Sequence, residues 1–217
     1  MKVAVAVLYA RSDSCYFELV QEVFDISRDA RTYLGEFPVI AHPPCRAWGR
    51  LRHLAKPRPD EKLLALHALE QVRRCGGVLE HPMGSSLWQH AQLPRPGCAP
   101  DAFGGYTILI DQGWFGHPAP KPTYLYIAGI SRHLLPVTPV QLHRAEGRTL
   151  DLSPADREKT PLKFANWLVR LASMCTVQLH RPADAVTLSR RIEFSVTPTR
   201  LTPVAKRSHF KEWMAAQ

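Results

Sequence analysis

The stretch Pro38-Val39-Ile40-Ala41-His42-Pro43-Pro44-Cys45 sets the terms for reading the rest of the chain. Its apolar residues suit a short buried strand, and two successive prolines cannot continue a hydrogen-bonded ladder. Cys45 is therefore expected in a loop just past a strand end. Working outward, residues 3–9 are short, apolar and β-branched, as a central parallel strand is. Residues 17–24 suit a short helix or a second edge strand. After the cysteine, Asp60 opens a helix over about 60–74, with Leu63, Leu64, Leu66, Ala68, Leu69 and Val72 on its apolar face and Gly76-Gly77 as its stop. Val78-Leu79-Glu80 reads as a strand ending at His81-Pro82, and 89–105, rich in Pro and Gly, as loop. Residues 106–110 and 123–128 read as two more strands. Ser153-Pro154 and Thr160-Pro161 can each start a helix, and 162–174 carry Phe164, Ala165, Trp167, Leu168, Leu171 and Ala172 at helical spacing. Strands alternating with helices predict an α/β fold, Rossmann-like and mostly parallel, with its site at the carboxyl edge of the sheet.

A chain of 217 residues, 45% hydrophobic and 22% charged, is long enough for one such domain. We place it at 1–176. Residues 177–217, with seven Lys/Arg against three Asp/Glu, read as a basic C-terminal extension. No apolar run approaches bilayer length. The first strand meets Arg11 and Asp13 rather than a small-residue cleavage site, so a cytoplasmic protein is expected. The net charge of +9 favours a polyanionic partner, although an ordinarily solvated basic surface has the same composition. Five scattered cysteines without a CxxC pair argue against a disulfide framework or a structural zinc site.

Three segments carry candidate chemistry. Cys45, held by Pro43-Pro44, is either a presented thiol or a small apolar residue in a buried turn. If presented, Arg46, Arg50 or Arg52 would lower its pKa and raise the thiolate fraction. Glu80, at a strand end among apolar residues, can be desolvated and protonated near neutral pH, as a general acid must be. It can equally be a capping residue. Asp111-Gln112-Gly113-Trp114-Phe115-Gly116-His117-Pro118 and Lys121-Pro122-Thr123 mix aromatic rings with cationic groups, as stacking on bases and contacting phosphates requires. Gln112, His117 and Lys121 are the candidates there, with a packed loop as the other reading.

Taken in order, Pro43-Pro44-Cys45, Glu80-His81-Pro82 and Phe115-Gly116-His117…Lys121-Pro122-Thr123-Tyr124-Leu125 resemble the PPC loop, the ENP/ENV element and the FGH…KPT-x-LW segment of phage-type cytosine-C5 DNA methyltransferase-like proteins. Arg157-Glu158-Lys159-Thr160-Pro161…Phe164-Ala165 resembles that family's RSKT-x-x-GIA segment, so the likeness spans about 1–175. The resemblance implies a truncated class I methyltransferase fold and DNA as partner. It implies Cys45 as the nucleophile on C6 of a flipped cytosine, Glu80 as the group contacting the base, and S-adenosylmethionine as methyl donor. Asp25 and Pro43 fall on the cofactor side, Asp25 as the ribose-binding acid. Arg46, Arg50, Arg52, Gln112, His117 and Lys121 fall on the nucleic-acid side.

Departures accompany the likeness. The first loop, Leu8-Tyr9-Ala10-Arg11-Ser12-Asp13-Ser14, has no glycine to let the backbone approach a cofactor, and only about ten residues lie between Asp25 and Gly35. His81 stands where the family has Asn, and 83–105 are too short for a target-recognition domain. Two other readings follow: a catalytically inactive relative that binds nucleic acid or a host protein, and a metal site built from His42, Cys45, His81 and His117.

Overall fold

Six strands form one sheet: β1 (Val3–Leu8), β2 (Val20–Phe24), β3 (Val39–Ala41), β4 (Gly77–Pro82), β5 (Tyr106–Asp111) and β6 (Pro122–Ala128), in the order β2-β1-β3-β4-β6-β5. This computed structural model describes residues 1–139, 147–148 and 151–176; the proposed basic extension over 177–217 lies outside them. β2, β1, β3 and β4 run parallel, while β6 is antiparallel to both β4 and β5. The α/β expectation holds, with a mixed sheet in which one reversed strand separates the last two parallel ones. Among the described residues no helix is long and apolar enough to cross a membrane.

Residues 17–24 supply both elements weighed for them, because a helical turn α1 (Tyr16–Leu19) runs straight into β2. The helix expected over 60–74 is α2 (Glu61–Cys75). It ends at Gly76, whose φ of 75° is in the left-handed region, and Gly77 opens β4 with φ 121°. A Cβ on Gly77 would overlap the Val39 backbone, so the close β3–β4 approach requires glycine there. The 89–105 loop is preceded by α3 (Leu87–His90), which takes in its first two residues. Ser153 caps α4 (Pro154–Glu158) by accepting from the Asp156 amide, and α5 (Leu162–Ser173) follows.

Alternation along the strands sorts the core into two layers. Val5, Val7, Ile40, Val78, Leu125 and Ile127 pack with Tyr16 and with Phe164 and Leu168 of α5. Ala6, Leu8, Val39, Ala41, Leu79 and Tyr126 pack with Leu69 and Val72 of α2 and with Trp48 and Trp88. Because the pleat continues through β4, Glu80 belongs to the Tyr16 side and His81 to the Trp88 side.

Candidate functional site

The parallel strands β1, β3, β4 and β5 all end at one edge of the sheet, and the reversed β6 begins there. That edge therefore gathers Tyr9 after β1, His42 to Cys45 after β3, Glu80 in β4, Gln112 after β5 and Lys121 before β6. From the neighbouring strands β1 and β3 the chain goes on in opposite directions along the sheet, to β2 from one and to β4 from the other. This makes the β1/β3 junction the switch point where open α/β sheets bind ligands. A cavity of about 390 Å³ lies there, lined by Tyr9, Asp25, Asp29, Arg31, Pro44 and Glu158 among others.

Cys45 is exposed at this edge. The protein around its sulfur still limits hydration, which raises the thiol pKa; the Glu80 charge raises it further and Lys121 opposes both. The expected lowering by nearby arginines is corrected here. Arg46 is tied to the buried Glu61 by two bonds, Nε to Oε1 at 3.0 Å and Nη2 to Oε2 at 2.6 Å. Arg50 lays its aliphatic stem over Gly84, where a Cβ would force it to shift. Arg52 lines a separate pocket beyond β4.

Glu80 has only 14% of its side chain exposed and is bonded from two sides. Its Oε2 meets His42 Nδ1 at 3.1 Å, and its Oε1 accepts from Gln112 Nε2 at 2.9 Å. His42 Nε2 in turn meets the hydroxyl of the buried Tyr16 at 3.0 Å. A carboxylate can only accept, so Nδ1 carries the proton, and in the neutral ring Nε2 accepts from Tyr16. Burial raises the Glu80 pKa, but the His42 bond, the Lys121 charge and the electrostatic pull of the two imidazoles outweigh it and bring it to about 2. The expectation of a protonated Glu80 is overturned: the group is an ionised carboxylate with one bond on each oxygen and a lone pair left on each. Tyr16 and His42 had no signal as its partners, because 26 and 38 residues of chain separate the three until the sheet forms.

The remaining candidates divide. Asp25 is in the cavity wall, where its Oδ1 accepts from the Ser27 hydroxyl and from the Ser27 and Arg28 amides. Pro43 is buried away from the cavity and Pro44 takes the place proposed for it, since successive residues of an extended segment face opposite ways. Gln112 is 1% exposed and spends its amide on Glu80 and Thr123, so it supports the carboxylate rather than meeting a strand from outside. His117 is 2% exposed and bonded to the Ala119 backbone, again unlike a surface contact. Lys121 is half-buried, and its charge acts on both Cys45 and Glu80.

No group of three or more His, Cys, Asp or Glu side chains among the described residues is arranged to hold a metal ion. Both His42 nitrogens are already bonded. The first loop differs from its expectation in a specific way. Tyr9 has φ 63°, the left-handed turn a glycine would supply, and its hydroxyl bonds His67 Nδ1 at 2.8 Å. The backbone thus makes the turn without the glycine. No protein-family model, no curated protein and no solved structure matches the chain.

Proposed function

We propose that the chain modifies the C5 position of cytosine in DNA, with Cys45 as nucleophile and Glu80 as the base-contacting carboxylate. The observation that carries this reading is the pairing of an exposed thiol with an ionised, buried carboxylate whose charge it feels, at one sheet edge. We read the sheet as the class I methyltransferase type, on the strength of the reversed β6 between β4 and β5 and the cavity at the β1/β3 junction.

A flipped cytosine reaches Cys45 only outside the base stack. Glu80, as a carboxylate, accepts from the exocyclic amino group, which thymine lacks. Gln112 and His42 hold it in place from both sides. The Cys45 sulfur, as a thiolate stabilised by Lys121, adds to C6 while the C5=C6 π pair moves to C5. Once C5 carries its new group, loss of the C5 proton to a base expels the sulfur and restores the double bond and the thiolate. The β1/β3 cavity suits S-adenosylmethionine, with Asp25 for ribose hydroxyls and Ile26 and Leu64 as apolar walls. When bound there, it supplies an electrophilic methyl group.

With a 5-fluorocytosine oligonucleotide and S-adenosylmethionine, the wild-type protein should form a covalent adduct visible by denaturing electrophoresis, and Cys45→Ser should form none. A wild-type protein that forms no adduct defeats the enzymatic reading. The raised thiol pKa would then favour an inactive nucleic-acid-binding relative, whose salt-sensitive binding survives Cys45→Ala.

A further inference from the structure

A second cavity, of about 300 Å³, is lined by Arg52 from the cysteine loop and by Met83 to Ser86 after β4. Pro44 and Arg46, which flank Cys45, line the first, and Arg52, seven residues further along the same loop, lines the second. The loop is stitched to the turn after β4: the Ser86 amide and hydroxyl both donate to the Trp48 carbonyl, at 2.9 and 3.1 Å. The packing of Arg50 over Gly84 brings the same two segments together. Trp88, anchored by Nε1 donating to Thr107 at 2.9 Å, forms the floor with Tyr124, whose ring lies 5.2 Å away.

The two cavities differ in charge. Five carboxylates and three arginines line the first, whereas the second has Arg52 and Arg95 and no carboxylate. Arg11, Arg28, Arg31, Arg46 and Arg73 are each paired with an acid; Arg52 and Arg95 have no acidic partner among the described residues. The Ser85 hydroxyl oxygen accepts from the Leu87 amide, which leaves its O–H to donate. Two unneutralised guanidiniums and the Ser85 hydroxyl lining one pocket match the needs of a phosphate oxyanion.

We propose that this pocket binds a phosphodiester of the nucleic-acid strand whose base is presented to Cys45, an inference that rests on the function proposed above. The strand then approaches from the β4 side and leaves the β1/β3 cavity clear. This subsite sets the position of the strand without reading its sequence.

Fluorescence anisotropy of a labelled cytosine-containing oligonucleotide across a potassium chloride series tests it. Arg52→Ala and Arg95→Ala should each lower the slope of log affinity against log salt by about one. Arg95→Lys should retain the slope, and Arg170→Ala, which removes an exposed charge on α5, should leave it unchanged. Thermal melts verify that each variant is folded. Wild-type slopes in both alanine variants overturn the subsite, and if the Cys45 adduct still forms, the enzymatic reading stands without it. A wild-type protein that binds no oligonucleotide removes both. Competition at equal phosphate concentration separates the sources. If a nucleoside monophosphate displaces the oligonucleotide as effectively as an unlabelled strand does, the pocket serves a free phosphoryl ligand and the strand proposal fails.

Discussion

Glu80 and His81 are consecutive residues of β4, both withdrawn from water, and the two faces of the sheet treat them in opposite ways. On the Tyr16 side the carboxyl meets His42 and Gln112 and feels Lys121, and its pKa falls to about 2. On the Trp88 side neither nitrogen of His81 makes a hydrogen bond of good geometry among the described residues, the Pro44 carbonyl being its nearest acceptor. Burial there lowers the His81 pKa to about 4, against the weaker pull of the Glu80 charge and the Pro44 carbonyl. Burial alone therefore does not decide whether a group is charged. Well-placed partners decide it, and they stand on one face only.

Removing the partnered group should have the largest effect. Glu80→Ala leaves His42 Nδ1 and the Gln112 amide facing an apolar gap with Lys121 uncompensated, and should cost about 3 kcal/mol in denaturant unfolding. Glu80→Gln keeps the volume and one acceptor and should cost less. A loss under about 1 kcal/mol for the alanine variant would mean that the network contributes little beyond a surface bond.

Sequence patterning makes the local pieces of this contrast legible and conceals their assembly. The strand before Pro43-Pro44, the α2 helix with its Gly76-Gly77 stop, and the positions of Cys45 and Glu80 at strand ends all follow from short-range rules of period and backbone freedom. The reversal of β6 does not, because it depends on β5–β6 and β4–β6 pairing across the sheet. The same reversal brings Lys121 to the site. Gln112 and His117 read as surface groups from a segment rich in aromatic and cationic residues, yet the Gln112–Phe115 turn folds them inward. Tyr9 misleads in the other direction: composition says that the first loop lacks its glycine, while the backbone adopts the glycine-like turn.

Acid titration sharpens the comparison, because the two neighbours act in adjacent pH windows. The unfolded chain protonates His81 near its ordinary 6.5 and the folded protein only near 4. Between those values the unfolded state binds more protons, so this part of the stability is complete above pH 6.5 and declines down to pH 4. Glu80 contributes in full above its ordinary 4.5, and that contribution is lost between 4.5 and 2. Each shift corresponds to an upper bound of about 3 kcal/mol. His81→Leu removes a weakly bonded imidazole from an apolar layer. It should flatten the pH 6.5–4 limb of a stability profile while leaving the lower limb in place and costing little at pH 7. A profile unchanged by His81→Leu would show that another group titrates in that window.

The smallest effect concerns the thiol that lies within reach of the charged face. Desolvation and the Glu80 charge hold the Cys45 pKa up, and Lys121 moderates them. Alkylation by iodoacetamide follows the thiolate fraction, so its rate should climb with pH through an inflection above the ordinary thiol range. Glu80→Gln removes the opposing charge; its inflection should move to lower pH and its rate at pH 8 should rise severalfold. Lys121→Met should do the reverse. Mass spectrometry has to locate the modification, because Cys98 is also exposed and supplies a background rate. If neither substitution moves the Cys45 inflection, the carboxylate and the sulfur are electrostatically independent. Glu80 would then hold its neighbours in place without influencing the thiol, and the pairing on which the proposed chemistry depends would be absent.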